Sequence, residues 1–128
     1  MAQNQQERRR GQRVEANLRL SVNVPLADGR QVPATMETLN ISTSGIYFKS
    51  DHYIEPMTKL TMDLELPVGD RDGATAVAHC EGIVVRVLPE QEDDQAAHYE
   101  VAVFFTGIDP EGLQHLQQHI ALLLTAAS

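Results

Sequence analysis

Apolar and polar residues alternate along most of this chain with the period of two that marks half-buried strands. From about Val14 onward Leu18, Leu20, Val22 and Val24 fall on one face, and Asn17, Arg19, Ser21 and Asn23 on the other. Pro25 ends this strand, and Asp28-Gly29 is a hairpin signal, because the tight turn needs positive φ. A second strand is expected over about Gln31 to Ile41. Val32, Ala34 and Met36 share one face there, after which Leu39 and Ile41 carry the apolar phase. The parity slips near Thr38, which predicts a bulge or sharp bend. Gly45 opens a short strand in which Ile46 and Phe48 alternate with Tyr47 and Lys49.

After Pro56 the alternation is clean: Leu60, Met62, Leu64 and Leu66 face in, while Thr61, Asp63 and Glu65 face out. Pro67 to Gly73 forms a turn-rich loop. A long strand is expected from about Thr75 to Leu88, interrupted by Gly82, with Ala76, Ala78 and Cys80 inward. Pro89 to Ala96 is an acidic loop. The last strand, about His98 to Thr106, alternates through Tyr99, Val101, Val103 and Phe105.

The tail, about residues 109–126, reads as a helix. Asp109 suits the N-cap and Pro110 the first helical position. Leu113, Leu116, Ile120, Leu123 and Leu124 form an apolar stripe opposite Gln114, Gln117 and Gln118. Six short strands and one amphipathic helix predict a mainly β protein, a small antiparallel barrel or sandwich. The helix closes one end or packs on a partner. Residues 1–12 are polar and without period, a flexible arm ahead of the folded unit.

At 128 residues the chain is long enough for one domain with its own core. Its one cysteine, Cys80, cannot form an internal disulfide, which suits a reducing compartment. The N-terminus has no apolar leader segment and no run is long enough to span a bilayer, so a cytoplasmic location is expected. Charge is unevenly placed. Residues 1–13 carry +3, from Arg8, Arg9, Arg10 and Arg13 against Glu7, which leaves −11 on residues 14–128 of a chain at −8. Such an acidic body excludes binding to a nucleic-acid backbone over a broad face. A small anion held by the arginine arm is compatible with it.

Little in the sequence suggests catalysis. No Ser-His-Asp order, Walker loop or paired-carboxylate spacing stands out, and no enzyme is expected. His115 and His119 lie four apart on the helix with Glu111 one turn earlier, but zinc needs three or four converging ligands. A solvated helix face is the expectation, with no metal and no cofactor. Cys80 is expected inside as a small core residue. His79 should point outward, and Asp63 and Glu65 share one solvated strand face.

Two short motifs remain. Taken alone, the arginine cluster is a solvated basic tail, and Asn40-Ile41-Ser42-Thr43-Ser44-Gly45 is a turn or bulge between strands. Together they resemble the PilZ domain, a bacterial receptor module for cyclic di-GMP. Arg9-Arg10-Gly11-Gln12-Arg13 resembles its R-x-x-x-R element, and Asn40 to Gly45 its D/N-x-S-x-x-G element. Gly82 to Val87 is similar to the family's glycine-then-valine strand, and Tyr99 to Phe105 to the strand before its C-terminal helix. Ala102 stands where members often carry glycine, a departure the fold should accommodate.

The resemblance implies a six-stranded antiparallel β-barrel over residues 14–128 with a basic arm over 1–13. It implies cyclic di-GMP as the ligand, bound by Arg9, Arg13, Asn40, Ser42 and Gly45, with Arg8 supporting. Arginine suits both parts of this ligand, since its planar fork pairs with phosphate oxygens or with guanine O6 and N7. Asn40 would address a guanine edge, Ser42 would donate to a phosphate or base, and Gly45 would admit the ligand close to backbone. The arm would close over the barrel on binding and present a new surface to an effector protein. The alternative is a nucleotide-independent adaptor of the same family, as in type IV pilus assembly or motility. One or two nucleotides per chain, and a monomer or homodimer, are both compatible with the sequence.

Overall fold

The computed structural model describes residues 13–26, 28–67 and 73–126. Arg8, Arg9 and Arg10 lie outside the described residues, as does the loop over 68–72. The strands are β1 (Val14–Glu15), β2 (Arg19–Pro25), β3 (Gln31–Ile41), β4 (Gly45–Ser50), β5 (Lys59–Pro67), β6 (Thr75–Leu88) and β7 (Tyr99–Ile108), followed by a helix, α1 (Pro110–Ala126). All strand pairings are antiparallel. The order β3-β2-β5-β6-β7-β4 closes on itself through the β3–β4 pairing, giving a six-stranded barrel. Closure removes the free strand edges that an open sheet would present.

The two-residue β1 is a departure from the expected single first strand. β1 and β2 lie along the same edge of β3, Val14 opposite Ile41 and Arg19 opposite Glu37, with a break between them. Thr38 causes the break. Its fully buried hydroxyl accepts from Leu18 N at 2.8 Å and donates to the Ala16 carbonyl, so a side chain replaces the ladder there. Inward alternation survives it, because Val14, Ala16, Leu18, Leu20, Val22 and Val24 are all buried.

The register of β3 against β4 shifts between Thr38 and Asn40, which is the expected bulge. Its inward residue differs from expectation. Thr38, not Leu39, continues the buried phase from Met36, and Ile41 resumes it; Leu39 is the extra residue, its carbonyl accepting from Ala16 N at 3.2 Å. In β6 the register shifts at Glu81/Gly82 and again at Val84/Arg86. The strand is continuous through Gly82, and the inward positions beyond it are Val84 and Val87.

β5 and β7 alternate as expected, with Leu60, Met62, Leu64 and Leu66 buried from one and Tyr99, Val101, Val103 and Phe105 from the other. Asp109 caps α1: its carboxylate accepts from Gly112 N at 3.3 Å and from His79 N at 2.8 Å, tying the helix start to β6. A Cβ on Gly112 would stand 2.7 Å from Ala78 Cα, so the first turn lies directly on that strand. Leu116 and Ile120 are buried at the end of the barrel, each a burial of about 1.5–3 kcal/mol. Cys80 is 4% exposed, and burial pushes its thiol up to about 12, which makes it a core residue rather than a nucleophile.

Candidate functional site

β1 sets Arg13 beside the end of β3. Val14 pairs with Ile41 and Glu15 with Asn40, so the residue just before β1 falls next to the bulged strand end. From there Arg13 Nη1 donates to Asn40 Oδ1 at 2.8 Å. The second arginine of the R-x-x-x-R element thus meets the first residue of the N-x-S-x-x-G element. The bond uses one of five guanidinium N–H donors and leaves Asn40 its amide donors.

Ser42 opens the turn from β3 into β4 and is fully buried. Its Oγ accepts from Ser44 N at 3.2 Å and Gly45 N at 3.1 Å, and lies 3.0 Å from Ser44 Oγ. Ser42 N donates to the Gly45 carbonyl at 2.9 Å. The structure therefore places the hydroxyl inside the turn, holding its backbone, rather than on the outer surface. Gly45 has a structural reason of its own. A Cβ there would stand 2.3 Å from the Val103 carbonyl oxygen, so glycine is required by the close approach of β7. Ser44 accepts from Phe105 N at 2.9 Å and locks the turn to that strand.

The outer face beyond Asn40 continues in register. Asn40 pairs with Tyr47, Tyr47 with Ala102, and Ala102 with Arg86, a row across β3, β4, β7 and β6. Tyr47 Oη donates to Glu100 Oε1 at 2.6 Å. Burial, first, and the Glu100 hydrogen bond hold the phenol above its usual range, against the opposing Arg86 and Arg13 charges. Tyr47 is therefore a neutral donor between two cations. Tyr47 and Arg86 belong to neither motif; the outward parity of their strands was the signal for Tyr47, and the bulge before Arg86 concealed the other.

The remaining titratable groups among the described residues form no second centre. Among the described residues, no cluster of three or more His, Cys, Asp or Glu is placed to hold a metal ion. His115 and His119 are half-buried rather than on a solvated face, because they flank Leu116 and Ile120 where α1 meets the barrel. Burial lowers the His119 pKa. His79 points outward as expected, but Asp63 is more than solvated: its Oδ1 lies 2.6 Å from His79 Nδ1. No helix among the described residues is long and apolar enough to cross a membrane.

A family model, described as the PilZ domain, matches residues 7–122. The chain belongs to the PilZ family. That family comprises non-catalytic receptors for cyclic di-GMP. No curated protein matches the chain at a significant level. Among solved structures, the Bacillus subtilis inhibitor of motility MotI/DgrA is similar at a TM-score of 0.69 and 21% identity, covering 92% of this chain and 52% of that one. The PilZ domain of YcgR from Escherichia coli, solved with c-di-GMP, has a TM-score of 0.59 and 17% identity over 94% of each chain. MrkH from K. pneumonia in its apo state has a TM-score of 0.63 and 12% identity, covering 90% of this chain and 50% of that one. This PilZ chain spans about half the length of MotI/DgrA and MrkH and nearly all of the YcgR domain. At these identities the likeness is one of fold.

Proposed function

We propose that this PilZ protein is a cyclic di-GMP receptor that binds the nucleotide where the arginine arm meets the β3–β4 turn. The observation that carries the proposal is the Arg13–Asn40 hydrogen bond, which joins the last residue of the first motif to the first residue of the second. Arg13 and Arg9 pair with phosphate or guanine acceptors, and Arg8 adds charge. Each such contact contributes on the order of 1.5–3 kcal/mol. Asn40 addresses a guanine edge. Ser42 and Gly45 serve by building the turn whose backbone the ligand meets. The family's receptor activity, and the c-di-GMP solved with the YcgR domain, support the assignment.

In this account residues 1–13 act as an arm apart from the barrel over 14–128. Ligand orders the arm over the barrel face, and the covered face is read by an effector protein. Ordering has an entropic cost that the arginine contacts must exceed. The test is a calorimetric titration with cyclic di-GMP of the wild-type chain and an Arg9→Ala/Arg13→Ala variant, with GTP as control. Saturable binding that the variant loses and GTP does not reproduce is expected. Absence of heat and of any thermal shift at high ligand would leave the motifs as parts of a nucleotide-independent adaptor.

A further inference from the structure

Beyond the two motifs, the outer face of β4, β7 and β6 has a low point. Ala102 carries the smallest side chain of its row, with Tyr47 beside it on β4 and Arg86 beside it on β6. Along β7 its same-face neighbours are Glu100 and Phe104. Phe104 is 54% exposed, an uncommon position for a large aromatic side chain on a barrel exterior, and pairs with Gly45 on one side and Ile83 on the other. Arg86 is exposed, and its guanidinium makes no hydrogen bond or ion pair with another described residue. Its charge is nevertheless felt at Tyr47, as is that of Arg13 on the opposite side. The face therefore offers a small floor, two aromatic walls and a free guanidinium.

Its reach fits the nucleotide. Strands stand about 4.8 Å apart, so the row from Asn40 to Arg86 spans roughly 14 Å, the scale of a molecule with two bases joined by a phosphodiester ring. A base resting on Ala102 would meet the ring of Phe104 and the Tyr47 side chain, and every base has a π face that such walls favour. A guanidinium fork matches guanine O6 and N7, whereas adenine presents an amino donor in place of O6 and repels it.

We infer that Ala102 floors a base-binding dish walled by Tyr47 and Phe104, in which Arg86 selects guanine over adenine. The inference rests on the proposed cyclic di-GMP site and extends it two strands further across the barrel. Arg86 acts there as a specificity residue, and the motif residues supply the rest of the affinity.

The test titrates the full chain with cyclic di-GMP and with cyclic di-AMP, comparing wild type, Arg86→Ala, Arg86→Lys and Ala102→Leu. Val77→Ala, an exposed apolar position earlier in β6, serves as the control. Arg86→Ala should weaken cyclic di-GMP binding about tenfold and change cyclic di-AMP binding little, so the preference narrows. Arg86→Lys keeps the charge without the fork and should narrow it similarly. Ala102→Leu fills the dish and should weaken both ligands, with a thermal transition close to that of wild type, while Val77→Ala changes neither. If Arg86→Ala and Ala102→Leu both bind cyclic di-GMP like wild type while Arg13→Ala does not, the dish is refuted and the motif site stands. If wild type binds neither nucleotide, both proposals are overturned together.

Discussion

Arg13 and Asn40, 27 residues apart in the chain, are joined by a 2.8 Å hydrogen bond at the mouth of the β3–β4 turn. The two-residue β1 makes this possible, since its pairing with Ile41 and Asn40 delivers Arg13 to the strand end. The break that separates β1 from β2 is equally necessary. Thr38 fills it with a side-chain ladder, so the chain reaches Arg13 without losing the inward parity of Val14, Ala16 and Leu18.

Gly45→Ala should destabilise the barrel, because the added methyl meets the backbone carbonyl of Val103, which cannot rotate aside. Overpacking of this kind costs about 1–3 kcal/mol. Gly107→Ala is the matched control, since a Cβ there meets nothing within 4 Å. Urea denaturation of both variants should show a large shift in midpoint for the first and a small one for the second.

Asp109→Ala should remove the helix cap and the tie to β6 in one step. The carboxylate accepts from Gly112 N and from His79 N, and loss of a cap together with an unpaired strand amide costs about 1–2 kcal/mol. Asp109→Asn keeps an acceptor oxygen and should recover much of the loss in the same denaturation experiment. Equal destabilisation by both substitutions would mean that the carboxylate charge, not the cap geometry, matters.

Two histidines should make stability depend on pH in opposite directions. The Asp63 hydrogen bond, then its charge, raises the His79 pKa above 6.5, so the folded state holds that proton more tightly. Its contribution is full below about pH 6.5 and fades as pH rises through the raised value. Burial lowers the His119 pKa, so the folded state resists protonation there and loses stability as pH falls below about 6.5. Melting temperatures across pH 5 to 8 should therefore gain acid sensitivity in Asp63→Asn and lose it in His119→Gln. An unchanged profile in both would contradict the assignment.

Much of the fold was legible because parity is a local signal. Leu60 to Leu66 and Tyr99 to Phe105 each bury alternate residues as their sequences read, and Asp109-Pro110 marks the helix start. The bulge near Thr38 was legible as a parity slip, but the side-chain ladder beside it and the register shifts of β6 against β7 were not, since they depend on a partner strand. Thr38 was legible only as the place of a parity slip; its burial follows from the Leu18 N–H and the Ala16 carbonyl that its hydroxyl pairs with. The same limit applied to the site. The motifs pointed to Arg13 and Asn40, yet the close approach of Val103 to Gly45 appears only in the tertiary contact. Arg86 follows a second bulge, so its place in the Asn40 row appears only in the register of β6 against β7.

The central claim is that the arginine arm and the Asn40–Gly45 turn form one nucleotide site, and a double-mutant cycle on Arg13 and Asn40 tests it most directly. Cyclic di-GMP affinity is measured by calorimetry for wild type, Arg13→Ala, Asn40→Ala and the double variant. The account predicts that each single substitution weakens binding, and that the double loses less than the sum of the two by about 1 kcal/mol or more, within the range for contacting residues. Losses that simply add, or a single variant that binds like wild type, would contradict it.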